Sequence, residues 1–234
     1  MRLEKKNAAI TGGNSGIGLA IARAFVDEGA TVAILGRDPD TLQTAAASLG
    51  PGTVTAQGDV SRPDDLDRFY AEIDRHFGSL DVLVVNSGVY RAAPLPETSP
   101  EFFDQLSGVN FRGAFFTVQR ALPLLRDGAS VILVTSTINE SGVPGLSVYA
   151  ATKAAVRSLA RSFAAELQPL GIRVNAISPG IIDTPIFDRL DLDEAGLADL
   201  KSALADQVPA GRMGRPEEVA TVALFLASDD SSYM

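Results

Sequence analysis

The 234-residue chain has no cysteine, no tryptophan and a single histidine. Without cysteine there is no disulfide, no thiolate metal site and no cysteine nucleophile. The lone His76 excludes a His-rich zinc site, so no metal is expected, and it argues against a Ser-His-Asp triad. It stands in Asp74-Arg75-His76-Phe77-Gly78, a sequence that reads as a helix end, where an imidazole beside the negative dipole is an ordinary surface residue. Basic residues are also in short supply: 20 Lys and Arg face 29 Asp and Glu, for a formal charge of −9. That balance argues against nucleic acid or an anionic membrane as a partner. Any anionic ligand must instead be met by a local cation or by backbone N–H groups. No apolar run approaches the ~18–20 residues of a membrane span. The start, Met1-Arg2-Leu3-Glu4-Lys5-Lys6, enters the first apolar run without the stretch of a signal peptide. A cytoplasmic location is expected.

What is present is an ordinary globular balance, 46% hydrophobic and 21% charged, which excludes an extended disordered chain. Short β-branched runs at 8–11, 31–35, 54–57, 82–85, 131–135 and 173–177 read as strands. Most are apolar without alternation, as strands covered on both faces are. Helical patterns fall between them at 18–27, 40–49, 63–76, 111–125 and 149–167, and Pro63 and Pro216 read as first-turn prolines. Repeated β-α-β units predict an α/β Rossmann fold in one domain spanning 1–234, with a doubly wound parallel sheet and helices on both faces. Residues 181–207 break this rhythm with Pro185, aspartates and short apolar clusters, and read as an inserted pair of short helices. Placed past a strand's carboxyl end, they suit a substrate lid; a surface excursion is the alternative.

Three groups of residues carry chemistry. Gly12-Gly13-Asn14-Ser15-Gly16-Ile17-Gly18 joins the first strand to the first helix, where glycines let backbone approach a pyrophosphate held at the helix N-terminus. The second strand ends in Gly36-Arg37-Asp38. An acid in the Gly36 slot would bind the ribose 2′-OH of NAD, whereas Arg37 suits the 2′-phosphate of NADP. NADP(H) is therefore preferred and NAD(H) stays possible, with Asp38 either a counter-signal or a helix cap. Asp59-Val60 closes the third strand, where the carboxylate either accepts the adenine amino group or caps a turn. The third group is Tyr149 and Lys153, four residues apart and so on one helical face. A nearby cation favours phenolate and lowers a tyrosine pKa. Ser136, thirteen residues upstream at a strand end, offers a hydroxyl to a reacting oxygen.

In these motifs the chain resembles the short-chain dehydrogenase/reductases along essentially its whole length. The family's TGxxxGxG is similar to residues 11–18, and its catalytic Asn, Ser, Tyr and Lys fall on Asn110, Ser136, Tyr149 and Lys153. Its Pro-Gly and nicotinamide-binding Thr fall on Pro179, Gly180 and Thr184, with Ile182 between them. The family's Asn-Asn-Ala-Gly reads Val85-Asn86-Ser87-Gly88 here. Losing the first Asn puts a sheet-stabilising bond in question, while Asn86 and Gly88 can still line the cofactor. The resemblance also implies a seventh strand beyond Met234 and a homo-oligomer, tetramer or dimer.

The resemblance implies hydride transfer between NADPH and a ketone or secondary alcohol. Ser136 polarises the carbonyl, Tyr149 gives the proton, Lys153 lowers the Tyr149 pKa and holds the nicotinamide ribose, and Asn110 anchors a water. Apolar residues Ile181, Ile182, Pro185, Ile186, Phe187, Leu190, Val143, Pro144 and Leu146 favour hydrophobic ketones, while Tyr90, Asn139 and Glu140 could select a hydroxylated substrate. The overall pattern is similar to bacterial NADPH-dependent secondary alcohol dehydrogenases and ketoreductases. Alternatives are an NAD-dependent sugar dehydrogenase, a 3-oxoacyl-thioester reductase, a cofactor-retaining isomerase or dehydratase, and a non-catalytic dinucleotide-binding regulator.

Overall fold

In the computed structural model, which describes residues 1–187 and 193–234, six strands form one parallel sheet. The strands are β1 (Asn7–Thr11), β2 (Thr31–Gly36), β3 (Val54–Gln57), β4 (Leu80–Val85), β5 (Leu125–Val134) and β6 (Arg173–Ile177). Their order is β3-β2-β1-β4-β5-β6, so the winding direction reverses between β1 and β4, where doubly wound sheets bind ligands. Ala8, Ala9 and Ile10 of β1 pair with Val82, Leu83 and Val84 of β4, all fully or almost fully buried. This double coverage explains why the strands read as continuous apolar runs.

Among the described residues there are eight α-helices: α1 (Gly16–Asp27), α2 (Pro39–Leu49), α3 (Pro63–Phe77), α4 (Pro100–Ser107), α5 (Ala114–Ala121), α6 (Ser147–Leu167), α7 (Glu194–Asp206), which buries no residue, and α8 (Pro216–Ala227). Phe69, Ile73, Val118 and Phe163 pack from α3, α5 and α6 on one face. Ile21, Phe25, Leu42, Val219 and Ala223 pack from α1, α2 and α8 on the other. A fully buried side chain such as Phe25 contributes roughly 1.5–3 kcal/mol. Local chemistry sets the helix starts. Asp38 accepts a hydrogen bond from Thr41 N at 2.8 Å ahead of Pro39, and Pro63 opens α3 with Asp64 and Asp65 in its first turn. Arg75 and His76 complete its last turn, beside the negative end of the dipole.

Two sequence expectations are corrected. The helix expected at 111–125 is a π-helical turn, Gly108–Gly113, followed by the shorter α5, and Leu125 already belongs to β5. α4 precedes that turn and was not anticipated, although Ser99 caps it as Ser and Asp cap helices elsewhere. Within the described part of 181–207 lies α7; the rest of the expected pair of short helices runs into residues 188–192, which, Leu190 among them, lie outside the described residues. Among the described residues no helix is long and apolar enough to cross a membrane.

Candidate active site

Because all strands run parallel, every proposed site residue apart from those on helices follows a strand's carboxyl end along one edge of the sheet. After β1 the chain turns at Gly12 (φ 65°), whose N–H donates to Leu35 O at 2.8 Å. A Cβ on Gly18 would stand 2.1 Å from Gly12 O, so only glycine lets α1 start that close to the turn. The helix begins with no side-chain cap from Ser15 and no acid in its first turn. Its N–H groups and positive dipole end thus remain available to an anion. Ile17 packs against the core. Thr184 covers Gly16, with its Cβ 3.4 Å from where a glycine Cβ would be. The turn and the start of the 181–207 segment therefore meet.

Asn86 ties β4 to this turn. Its side-chain amide donates to Thr11 O and Gly12 O, both at 3.1 Å, and its backbone N–H donates to Thr11 Oγ1. Val85, where the family pattern has asparagine, is a buried strand residue. The bond between strand ends is thus made by Asn86 with Thr11.

At the end of β2, Arg37 is half-exposed, with Nη1 3.9 Å from Asp59 Oδ2. Asp59 Oδ1 accepts from Ser61 N (2.9 Å) and Ser61 Oγ (2.7 Å), a local turn that leaves Oδ2 facing the guanidinium. Val60 places its side chain in the core. Asp38 serves as the cap of α2. Asn14 lies over Gly36 and donates from Nδ2 to Thr41 Oγ1 at 2.7 Å.

At the opposite side of the switch point, the Tyr149 phenol and the Ser136 hydroxyl stand close enough to interact. Lys153 is fully buried, donates from Nζ to Val134 O at 3.0 Å, and lies 5.9 Å from the Tyr149 ring centroid. Burial draws its pKa down to about 8. Burial also pushes the Tyr149 phenol up, more than the Ser136 hydroxyl draws it down, and Tyr90 adds to the rise. The sequence expectation was a phenol lowered by Lys153. Desolvation dominates here, with the ammonium 5.9 Å from the ring centroid. Asn110, in the π-helical turn, clamps the β4 loop: Oδ1 accepts from Val89 N at 2.8 Å and Nδ2 donates to Val89 O at 2.9 Å. Nδ2 also reaches Thr152 Oγ1, beside Lys153, at 3.3 Å. Such π turns recur at functional sites. Gly88 fits between Asn110 Oδ1 and Lys153 Nζ, 3.4 and 3.5 Å from where its Cβ would stand.

After β6, Pro179 O accepts from Thr137 N at 3.0 Å, which joins this loop to the one carrying Ser136. Gly180 is exposed, and Ile182 forms a bridge with Gly214. Thr41 and Arg157 contribute in ways the sequence does not signal. Arg157 of α6 holds Asn139 and Glu140, while Asn139 donates to Ser136 O. The paired residues are 17, 18 and 27 positions apart in the chain, and pairing across that distance leaves no periodic trace.

The geometry has clear counterparts. The family model described as enoyl-(acyl carrier protein) reductase matches residues 12–234. The chain is 47% identical to the oxidoreductase asL5 of Sarocladium schorii, over all of this chain and 92% of that protein. It is 38% identical to the sorbitol dehydrogenase of Cereibacter sphaeroides, again over the whole chain and 94% of that protein. A crystal structure of a short-chain dehydrogenase/reductase, glucose/ribitol dehydrogenase, from Brucella melitensis superposes with a TM-score of 0.92. The match covers 100% of this chain and 93% of that one, at 35% identity. The chain belongs to the short-chain dehydrogenase/reductase family. It is an oxidoreductase of that class, whose members use NAD(P)(H).

Proposed function

We propose that the protein transfers hydride between NADP(H) and a ketone or secondary alcohol, as NADPH-dependent secondary alcohol dehydrogenases and ketoreductases do. The observation that carries this reading is the Ser136–Tyr149 pair beside the buried Lys153, on the sheet edge that also holds the uncapped start of α1. The dinucleotide fits the residues present. Gly12, Gly16 and Gly18 make a cradle that side chains would fill, and Arg37 stands where a 2′-phosphate is recognised. Pro179, Gly180, Ile182 and Thr184 would hold the nicotinamide end. Bound there, the cofactor supplies or accepts the hydride.

The chain's own residues handle the proton. Ser136 Oγ donates to the substrate oxygen, and Tyr149 gives that oxygen its proton during reduction. A phenol raised by burial keeps its proton until the developing alkoxide demands it. Lys153, already held by Val134 O, adds positive charge that favours the phenolate left behind. Asn110 fixes the Val89 loop and, through Thr152, the turn carrying Lys153. Positioned acid–base catalysis of this kind contributes roughly 10²–10⁴-fold.

The same reading makes 181–207 a lid. Its root is bolted to the body through Gly214 N to Ile181 O (2.9 Å) and Asp183 N to Gly214 O (2.8 Å). α7 has no buried residue, and Leu197, Leu200 and Leu204 stay half-exposed along one stripe. A second reading, an NAD-dependent dehydrogenase of a sugar or polyol, draws support from relatives named sorbitol dehydrogenase and galactitol 2-dehydrogenase.

The test follows absorbance at 340 nm with a panel of ketones and alcohols, each with both cofactors, on the wild type and Tyr149→Phe. The variant is expected to lose at least about a hundredfold in kcat while binding NADPH normally. Retention of more than about a tenth of kcat would remove Tyr149 from the acid role.

A further inference from the structure

Between the loop that follows Tyr90 and the loop that leads into the helix of Tyr149 lies an apolar recess that the proton chemistry does not use. Tyr90 sets its ring edge-on to Tyr149, with centroids 5.2 Å apart and planes at 80°. Two residues further on, Ala92-Ala93-Pro94-Leu95 runs alongside the loop that leads into α6, and Ala93 N donates to Gly145 O at 2.9 Å. Between the two loops is a cavity of about 510 Å³ lined by Ala92, Ala93, Pro94, Leu95, Pro144 and Gly145. None of those side chains carries a hydrogen-bonding group. Ligand cavities run from about 300 to 1,000 Å³, so this one has room for a substituent of several carbons.

The border is apolar too. Leu95 is 77% exposed, Val143 44% and Tyr90 39%. Leu95 lines the recess, Val143 precedes the lining residue Pro144 and Tyr90 stands two residues before Ala92, and large apolar groups left open together mark a ligand surface. Two of the polar residues that could serve a polyol are otherwise engaged. Asn139 bonds Ser136 O and Arg157, and Glu140 pairs with the same Arg157. Arg91 is held by Gln105 and stacks 5.0 Å from the Phe102 ring of α4.

We propose that this recess takes the larger, apolar substituent of the carbonyl substrate, with the Tyr90 ring as the wall between it and the reacting oxygen. The substrate class is then a ketone or secondary alcohol bearing an alkyl or aryl group of several carbons, not a polyol. The proposal rests on the hydride-transfer reading above, and its test is built to fail separately from it.

The experiment measures kcat/KM for 2-alkanones from butanone to 2-nonanone with NADPH, and for 2-nonanol and sorbitol with NADP⁺. Efficiency is expected to rise about two- to fourfold per methylene, the upper figure being the gain from burying one CH₂ expressed as a ratio. Sorbitol should be at least about tenfold poorer than 2-nonanol, a gap within the reach of a pocket's apolar contacts. Ala93→Phe, which fills the recess, should collapse the 2-nonanone to butanone ratio. Ala93→Ser, of nearly the same size but polar, should lower that ratio less, and thermal unfolding shows whether each variant is folded. Binding of 2-nonanone in the presence of NADP⁺, followed by NMR on wild type, Ala93→Phe and Tyr149→Phe, reads the recess without turnover. Saturable binding lost in Ala93→Phe but kept in Tyr149→Phe supports the proposal even if no alkanone is reduced. A flat chain-length series, a preference for sorbitol, or no alkanone binding overturns it. A Tyr149→Phe variant that still turns over with the slope intact would instead overturn the acid role and leave the recess standing.

Discussion

A Cβ at position 36 would stand 2.5 Å from Asn14 Oδ1, so the asparagine side chain occupies the space an acidic residue at the end of β2 would need. The Asn14 orientation is fixed by a chain of bonds. Thr41 Oγ1 donates to Asp38 O at 3.2 Å, and so accepts from Asn14 Nδ2 at 2.7 Å. That leaves Oδ1 turned to Gly36. Gly36→Asp alone is therefore expected to weaken both NADH and NADPH, instead of switching preference, since the new side chain must displace Asn14. Gly36→Asp combined with Asn14→Gly should recover NADH binding. Fluorescence titration of each variant with both nucleotides checks this, and tight NADH binding by the single variant would contradict it.

Arg37 stands next to that position, half in solvent and loosely paired with Asp59 at 3.9 Å. An exposed pair at this distance contributes little to stability, which frees the guanidinium to meet a phosphate. Arg37→Ala is expected to weaken NADPH by roughly 1.5–3 kcal/mol, the range for hydrogen bonds to charged groups, and to leave NADH nearly unchanged. Isothermal titration with the two cofactors measures the difference. Equal losses would assign Arg37 a structural role with Asp59.

Lys153 makes stability depend on pH. Its proton is released near pH 8 in the folded protein but near 10.5 in the unfolded chain. Between those values the unfolded state binds more protons, so this residue's contribution to stability rises with pH. Below about pH 8 both states are charged and the full cost of burial is present. Relative to Lys153→Met, the wild type should gain of the order of 3 kcal/mol from pH 8 to 10.5, following about 1.4 kcal/mol per pKa unit. The comparison with the variant cancels buried tyrosines such as Tyr70, whose raised pKa acts in the opposite direction. Urea unfolding across that range is the measurement, and parallel curves for the two proteins would show that the ammonium is not desolvated.

The strands were legible because burial on both faces leaves uninterrupted runs such as Val82–Val85, and the glycine turn because Gly12 and Gly18 have no substitute. α4 was missed although Ser99-Pro100-Glu101 carries the same cap, first-turn proline and acid that marked other helices. The π-helical turn at Asn110 interrupts the 3.6-residue period between α4 and α5. The start of β5 hid behind Arg126-Asp127-Gly128, exposed residues that read as a turn. Within the site, the residues were visible but their ties were not. Asn14 with Thr41, Arg157 with Asn139 and Tyr90 with Tyr149 meet only through the fold, and the raised Tyr149 pKa follows from burial that no spacing encodes.

The proposed lid yields the remaining prediction. Phe187 lies near the base of the segment, half-buried, with its N–H donating to Thr184 O at 3.3 Å. Thr184 in turn covers Gly16 of the cofactor turn, so Phe187 is coupled to the nucleotide cradle by a short stretch of backbone. Lys201 of α7 reaches back to Asp183 at 2.8 Å, which links the helix to the same root. Closing such a segment over an apolar substrate would exclude water from the hydride-transfer site. Hydrogen exchange in 181–187 and 193–207 is therefore expected to slow when NADP⁺ and a ketone analogue bind together, more than with NADP⁺ alone. Phe187→Ala should alter the ratio of kcat/KM between bulky and small ketones, because differential contact in the transition state sets specificity. Unchanged exchange together with an unchanged substrate ranking would return the segment to a surface excursion.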